Sequence, residues 1–247
     1  MSDNIRVIHF PSDQSLGLLS VVDCRHYGEE WEVLGPAQGI ISIPGGTLVK
    51  LTAKGLGKEE TAHFLNLSRD ALVSLDLSNC SIGNAALCHI GHLTSLRELT
   101  LDRNPGISDE GLLHLKSLLK LESLTLGFTS ISDLGIAVLS RMRRLQIVSV
   151  GFTNITDIGV VTLSCLPRLQ WLWLTNTRTT DSGVERLVGL ESLAWLRLTG
   201  TVVTDRCIPS LGRCTGLRWL WVGNTEITER GRHELKRLLP GCEVKNE

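Results

Sequence analysis

The chain's 247 residues are 42% hydrophobic and 21% charged, with a net charge of −1 at pH 7. Such a chain can bury a sizeable core, and it offers no global field for nucleic acid. No run reaches the roughly 18–20 consecutive apolar residues of a membrane span, and Met1 to Phe10 lacks the pattern of a secretory signal.

Residues 1–47 show four short alternating or apolar runs: Ile5 to Ile8, Gly17 to Val22, Trp31 to Leu34 and Gly39 to Ile43. Turn signals separate them at Pro11-Ser12-Asp13, Gly35-Pro36 and Pro44-Gly45-Gly46, so strands joined by tight turns are expected. The segment reads as a β-rich N-terminal cap, because the first unit of a stacked array otherwise leaves a core face and a sheet edge in water. The alternative is a small separate recognition domain.

Residues 48–247 read as the array itself. It starts weakly, with a strand marked by Leu48, Leu51 and Ala53 and a helix predicted over Lys58 to Leu65. Clear copies begin at Leu72, Leu96, Leu121, Leu145, Leu169, Leu193 and Leu217, spaced by 24 residues except for 25 between Leu96 and Leu121. The extra residue falls in the turn sequence Asn104-Pro105-Gly106. Seven clear copies and one degenerate one, about eight in all, predict a solenoid. The array closes on a half-repeat at Cys242-Glu243-Val244, after Pro240-Gly241 stops the last helix, and this half-repeat serves as the C-terminal cap.

The unit is LxxLxLxxTxITDxGxxxLxxLxx. Alternating leucines put apolar side chains on one face of a short strand, and two late leucines form a helix's inward stripe. Thr129, Thr153, Thr177, Thr201 and Thr225 form a column, extended upstream by Asn104 and Cys80, that is suited to bonding loop backbone groups. A second column, Asp109, Asp133, Asp157, Asp181, Asp205 and Glu229, is expected to cap the helices rather than hold cations.

These repeats resemble leucine-rich repeats over about residues 48–244. Ile155-Thr156-Asp157-Ile158-Gly159 is similar to the cysteine-containing subclass, although only Cys80 keeps the column cysteine. The 24-residue spacing resembles bacterial leucine-rich repeat proteins. The resemblance implies an α/β fold: a right-handed curved solenoid with parallel strands on the concave face and helices on the convex face. It also implies a protein-binding role. The subclass supplies the substrate-receptor subunits of F-box ubiquitin ligases, so a ubiquitin-ligase-like role is one alternative.

No catalytic constellation is evident, and no enzyme activity or cofactor is expected. Lys54-Gly55-Leu56-Gly57-Lys58 lacks phosphate-loop spacing. Cys88, His89, His92 and His114 raise a zinc or copper site, but an outward helix surface is the simpler reading, and no metal is expected. Seven cysteines without a CxxC read as free thiols in a reducing compartment, taken to be the cytoplasm.

The residues between the strand leucines face away from the core. Two columns there hold Trp171, Trp195 and Trp219, and Trp173, Arg197 and Trp221. Five of the six tryptophans therefore share the open face of the last three full strands, with Phe128 and Phe152 just past their own strands. Such a patch marks a binding surface for a protein or peptide. The alternatives are indoles that only stack on one another, a glycan or small ligand on the indoles, and self-association through the patch. Neither nucleic acid nor membrane is an expected partner.

Overall fold

The N-terminal runs form strands β1 (Arg6–His9), β2 (Leu18–Asp23), β3 (Glu32–Pro36) and β4 (Ile40–Ile43). This computed structural model describes residues 5–27, 30–53, 55–57 and 59–247. Met1 to Asn4, Lys54 and Lys58, which enter the sequence readings, lie outside the described residues. β1 and β4 pair antiparallel as a separate two-stranded sheet.

The array supplies nine parallel strands. The first is β5 (Thr47–Thr52), followed by β6 (Ser74–Asp76), β7 (Glu98–Thr100), β8 (Ser123–Thr125) and β9 (Ile147–Ser149). Then come β10 (Trp171–Trp173), β11 (Trp195–Arg197), β12 (Trp219–Trp221) and β13 (Glu243–Lys245). They lie side by side in chain order, and β2 and β3 extend the sheet antiparallel beyond β5. Each strand pairs with the equivalent residues of the next copy, as in Ile147↔Trp171↔Trp195↔Trp219. The 25-residue copy keeps this register, because Glu98 still pairs with Ser123.

A short helical segment follows each of β6 to β12. α1 spans Asn84–Ile90, α2 Asp109–Leu112, α3 Asp133–Ile136 and α4 Asp157–Ser164. α5 spans Asp181–Glu185, α6 Ile208–Leu211 and α7 Glu229–Leu238. Several run on as 3₁₀ turns, such as Leu113–Ser117 after α2. The expected first helix is instead a 3₁₀ segment, Glu60–Asn66, which lacks the Ser/Thr cap of later copies and begins without a side-chain cap bond. The repeat leucines form one continuous buried cluster that also takes in Ile8, Phe10, Leu16, Leu19 and Ile43 from the N-terminal strands.

The threonine column behaves as expected. Thr129, Thr177 and Thr201 donate to the carbonyl three residues back, at 2.6, 2.7 and 2.6 Å. Upstream, Asn104 donates to the carbonyls of Leu77 and Leu101 and accepts from the amides of Cys80 and Ile82.

The acidic column is corrected. Before four of the acids the preceding residue does the capping: the side chains of Ser132, Thr156, Thr180 and Thr204 accept from the amide two residues on. The acid sits at the first helical position, and its carboxylate reaches sideways to the next repeat. Asp133 accepts from the Thr156 amide and hydroxyl at 2.9 and 2.6 Å, and from the Gly159 amide at 2.9 Å. Asp109, Asp157, Asp181 and Asp205 clasp Ser132, Thr180, Thr204 and Thr228 in the same way.

This clasp explains the glycine of the unit. A Cβ at Gly159 would stand 2.5 Å from the Asp133 carboxylate. One copy has Cys207 in that place, and there the helical segment starts as a 3₁₀ turn, Asp205–Cys207. Burial and the adjacent Asp181 carboxylate push the Cys207 thiol up to about 12.

Candidate functional site

The five tryptophans lie in register on the open face of β10 to β12, each partly buried. Trp171 stacks on Trp195 with ring centroids 4.2 Å apart, and Trp195 on Trp219 at 5.1 Å. Trp221 joins from the second column, 5.8 Å from Trp195 and 6.0 Å from Trp219. Parallel strands about 4.8 Å apart impose this spacing on flat side chains in register. Within the ladder the ring faces cover one another, so solvent meets mainly ring edges. Lys245 of β13 closes one end, its ammonium 4.8 Å from the Trp219 ring.

Phe128 and Phe152 form a second stack, 3.9 Å apart and nearly parallel. They remain 40% and 43% exposed, which is high for rings so closely paired. Their backbones are left-handed, with φ of 57° and 58°. The equivalent positions in other copies are Asn79, Arg103, Asn176, Gly200 and Asn224, all at positive φ. Asparagine and glycine suit that conformation, whereas a bulky aromatic there is strained by about 1–3 kcal/mol.

Phe128, Phe152, Trp173 and Arg197 line one cavity of about 250 Å³, together with Asp102 and Arg103. Gly127 and Gly151 also line it, and their missing side chains leave the space open. Trp171, Trp195, Trp219 and Trp221 stay outside this cavity, in the adjoining ladder; Trp171 and Trp173 connect the two at 6.4 Å. The Arg197 guanidinium lies 4.9 Å from the Trp221 ring, and Arg103 lies 4.9 Å from Phe128. The Asp102 carboxylate accepts from the Gly127 amide at 2.5 Å, and burial raises its pKa above the ordinary carboxylate value.

The opposite end of the face is covered. Tyr27 donates to the Glu98 carboxylate at 2.9 Å, and Ser74 donates to its other oxygen at 2.7 Å. Arg97 lies 5.0 Å from the Tyr27 ring, and Trp31, the sixth tryptophan, meets Tyr27 edge-on at 6.3 Å. Burial, then the Glu98 charge, holds the Tyr27 phenol well above its usual range. Sequence reasoning missed Tyr27, Trp31 and Arg103. Following the Phe128 column one copy upstream leads to Arg103. No periodic signal marks Tyr27 or Trp31, which belong to the non-repeating segment.

The histidines of the metal alternative have other partners: His89 hydrogen-bonds with Thr61, and His92 donates to the Leu67 carbonyl. Among the described residues no group of three or more His, Cys, Asp or Glu side chains is placed to hold a metal, and no helix is long and apolar enough to cross a membrane.

Residues 92–116, one copy of the unit, match the family described as Leucine Rich repeat. With the parallel ladder already in view, that match decides the architecture. This is a leucine-rich repeat protein. No curated protein matches the chain. Among solved structures, the leucine-rich repeat chain is similar to an internalin C2 from Listeria monocytogenes, with 21% identity and a TM-score of 0.60 over 80% of each chain. An internalin (inlF) from the same organism gives 19% identity and a TM-score of 0.60 over 79% of this chain and 59% of the other. At these identities the likeness carries the fold alone. The tryptophan ladder and the phenylalanine pair are additions that the leucine-rich repeat unit itself does not require.

Proposed function

We propose that this leucine-rich repeat protein is a non-catalytic scaffold that binds a protein or peptide through the open face of β10 to β12. The observation that carries the reading is five tryptophans, partly exposed and in register on the open face, where the repeat needs none. Tryptophan and arginine are the residue types that dominate interface energetics. Residues 1–47 act as the N-terminal cap in this reading, and the last half-repeat, with β13, as the C-terminal one.

A glycan platform is the less favoured alternative, because it needs a free ring face and the ladder offers mainly edges. A ubiquitin-ligase receptor role rests on the repeat subclass alone. All seven cysteines are free, which favours a reducing compartment such as the cytoplasm; recovery of the protein from another cell fraction would overturn that assignment.

The test compares partners captured by the wild type with those captured by a Trp171/Trp195/Trp219 triple alanine variant. Partners lost from the variant then serve for affinity measurements. Trp195→Ala or Trp219→Ala is expected to weaken such a complex by about 2 kcal/mol or more, roughly 30-fold. Unchanged affinity in both would move the site elsewhere.

A further inference from the structure

Arg197 poses a problem that the fold does not solve. Its Nε is buried and without a hydrogen-bond partner, and no carboxylate among the described residues lies within ion-pair distance. A buried charged donor left unpaired loses its hydration with nothing in return, which destabilises the fold. Its ring contact with Trp221 does not supply the missing acceptor. Arg103, at the same cavity, also lacks an ion pair among the described residues. Asp102 is the one acid lining the cavity, and its carboxylate already serves the Gly127 amide. The cavity lining therefore carries an excess of one positive charge.

A second observation is independent of charge. Phe128 and Phe152 hold strained backbones and stay exposed, where four of the other five copies use asparagine or glycine and one uses Arg103, which lines the same cavity. Strain of this kind persists where function requires the side chain. Here the two rings form a wall of the same cavity.

We infer that the cavity between the Phe128–Phe152 pair and Arg197 is a subsite for one acidic side chain, Asp or Glu, of a peptide lying along the tryptophan ladder. Its volume, about 250 Å³, accommodates one residue and falls below the roughly 300–1,000 Å³ of small-molecule pockets. A carboxylate entering it accepts from the Arg197 guanidinium and neutralises the excess charge, while Phe128 and Phe152 pack the side chain's stem. The inference rests on the peptide-binding reading above.

The experiment selects binders from a displayed library of random dodecapeptides on the wild type, the tryptophan triple variant and Arg197→Gln. The expected result is wild-type peptides that share an acidic residue at a fixed position and lose affinity about 30-fold or more on Arg197→Gln. A Glu→Gln or Asp→Asn peptide should lose affinity on the wild type and show little further loss on the variant. Tryptophan-dependent peptides without a shared acid, unaffected by Arg197→Gln, would overturn the subsite and leave the scaffold reading standing. Failure of any peptide to bind the wild type would overturn both.

Phe128→Asn and Phe152→Asn supply a control that is independent of charge. They should raise the unfolding midpoint by relieving strain while weakening the selected peptides about tenfold or more. Raised stability with unchanged binding would remove the rings from the subsite.

Discussion

Asp102 shows how a residue can be placed against its own ionisation. Burial raises its pKa, so the folded chain binds that proton more tightly than the unfolded chain does. Its contribution to stability is then full below the ordinary carboxylate pKa and is lost as the pH rises through the raised folded value. At neutral pH the ionised group is a burden on the fold. Asp102→Asn keeps an oxygen for the Gly127 amide and removes the titration. The variant is expected to melt above the wild type at pH 7, with the gap closing as the solution is acidified towards the ordinary carboxylate range. Thermal unfolding across pH checks this; a gap that widens on acidification would contradict it.

At the scale of elements, the helical segments are too short to stand alone, since isolated helices below about 12–15 residues are marginal in water. Packing of the leucines and the carboxylate clasp hold them. Asp133→Ala removes an acceptor shared by Thr156 and Gly159 and should cost about 1–3 kcal/mol in urea unfolding. A loss of a few tenths would mean that water replaces the clasp.

Much at this scale was legible in the sequence. The 24-residue spacing of the leucines located every strand from β6 to β12, because a period that recurs in register leaves few architectures. The clasp was misread as capping, because a one-residue offset along a helix decides whether a side chain turns inward or towards its neighbour. The tryptophan columns were legible from strand alternation alone. The cavity was not, because Asp102 and Arg197 are far apart in the chain and come to line one cavity only through the stacking of intervening copies.

At the scale of the whole molecule the open face is divided. Tyr27 and Trp31 of the N-terminal segment cover its first strands, while β10 to β12 carry partly exposed tryptophans. β2 also occupies the edge of β5 through six paired residues, and Leu16, Leu19 and Ile43 complete the core beneath. Deleting residues 1–46 should expose both edge and core, giving self-associated species in light scattering and a lowered unfolding midpoint. A monodisperse, equally stable remainder would mean that the array closes itself.

The tryptophan ladder carries one more consequence. Indoles stacked 4.2 to 6.0 Å apart do not absorb or emit as separate chromophores. Their transitions couple, and excitation migrates among them, so the native face should show an exciton couplet in circular dichroism and strongly depolarised emission. A partner that wedges between the rings would weaken the couplet, and one that only rests on their edges would leave it intact. The surface thus reports optically on how it is touched, without any added label.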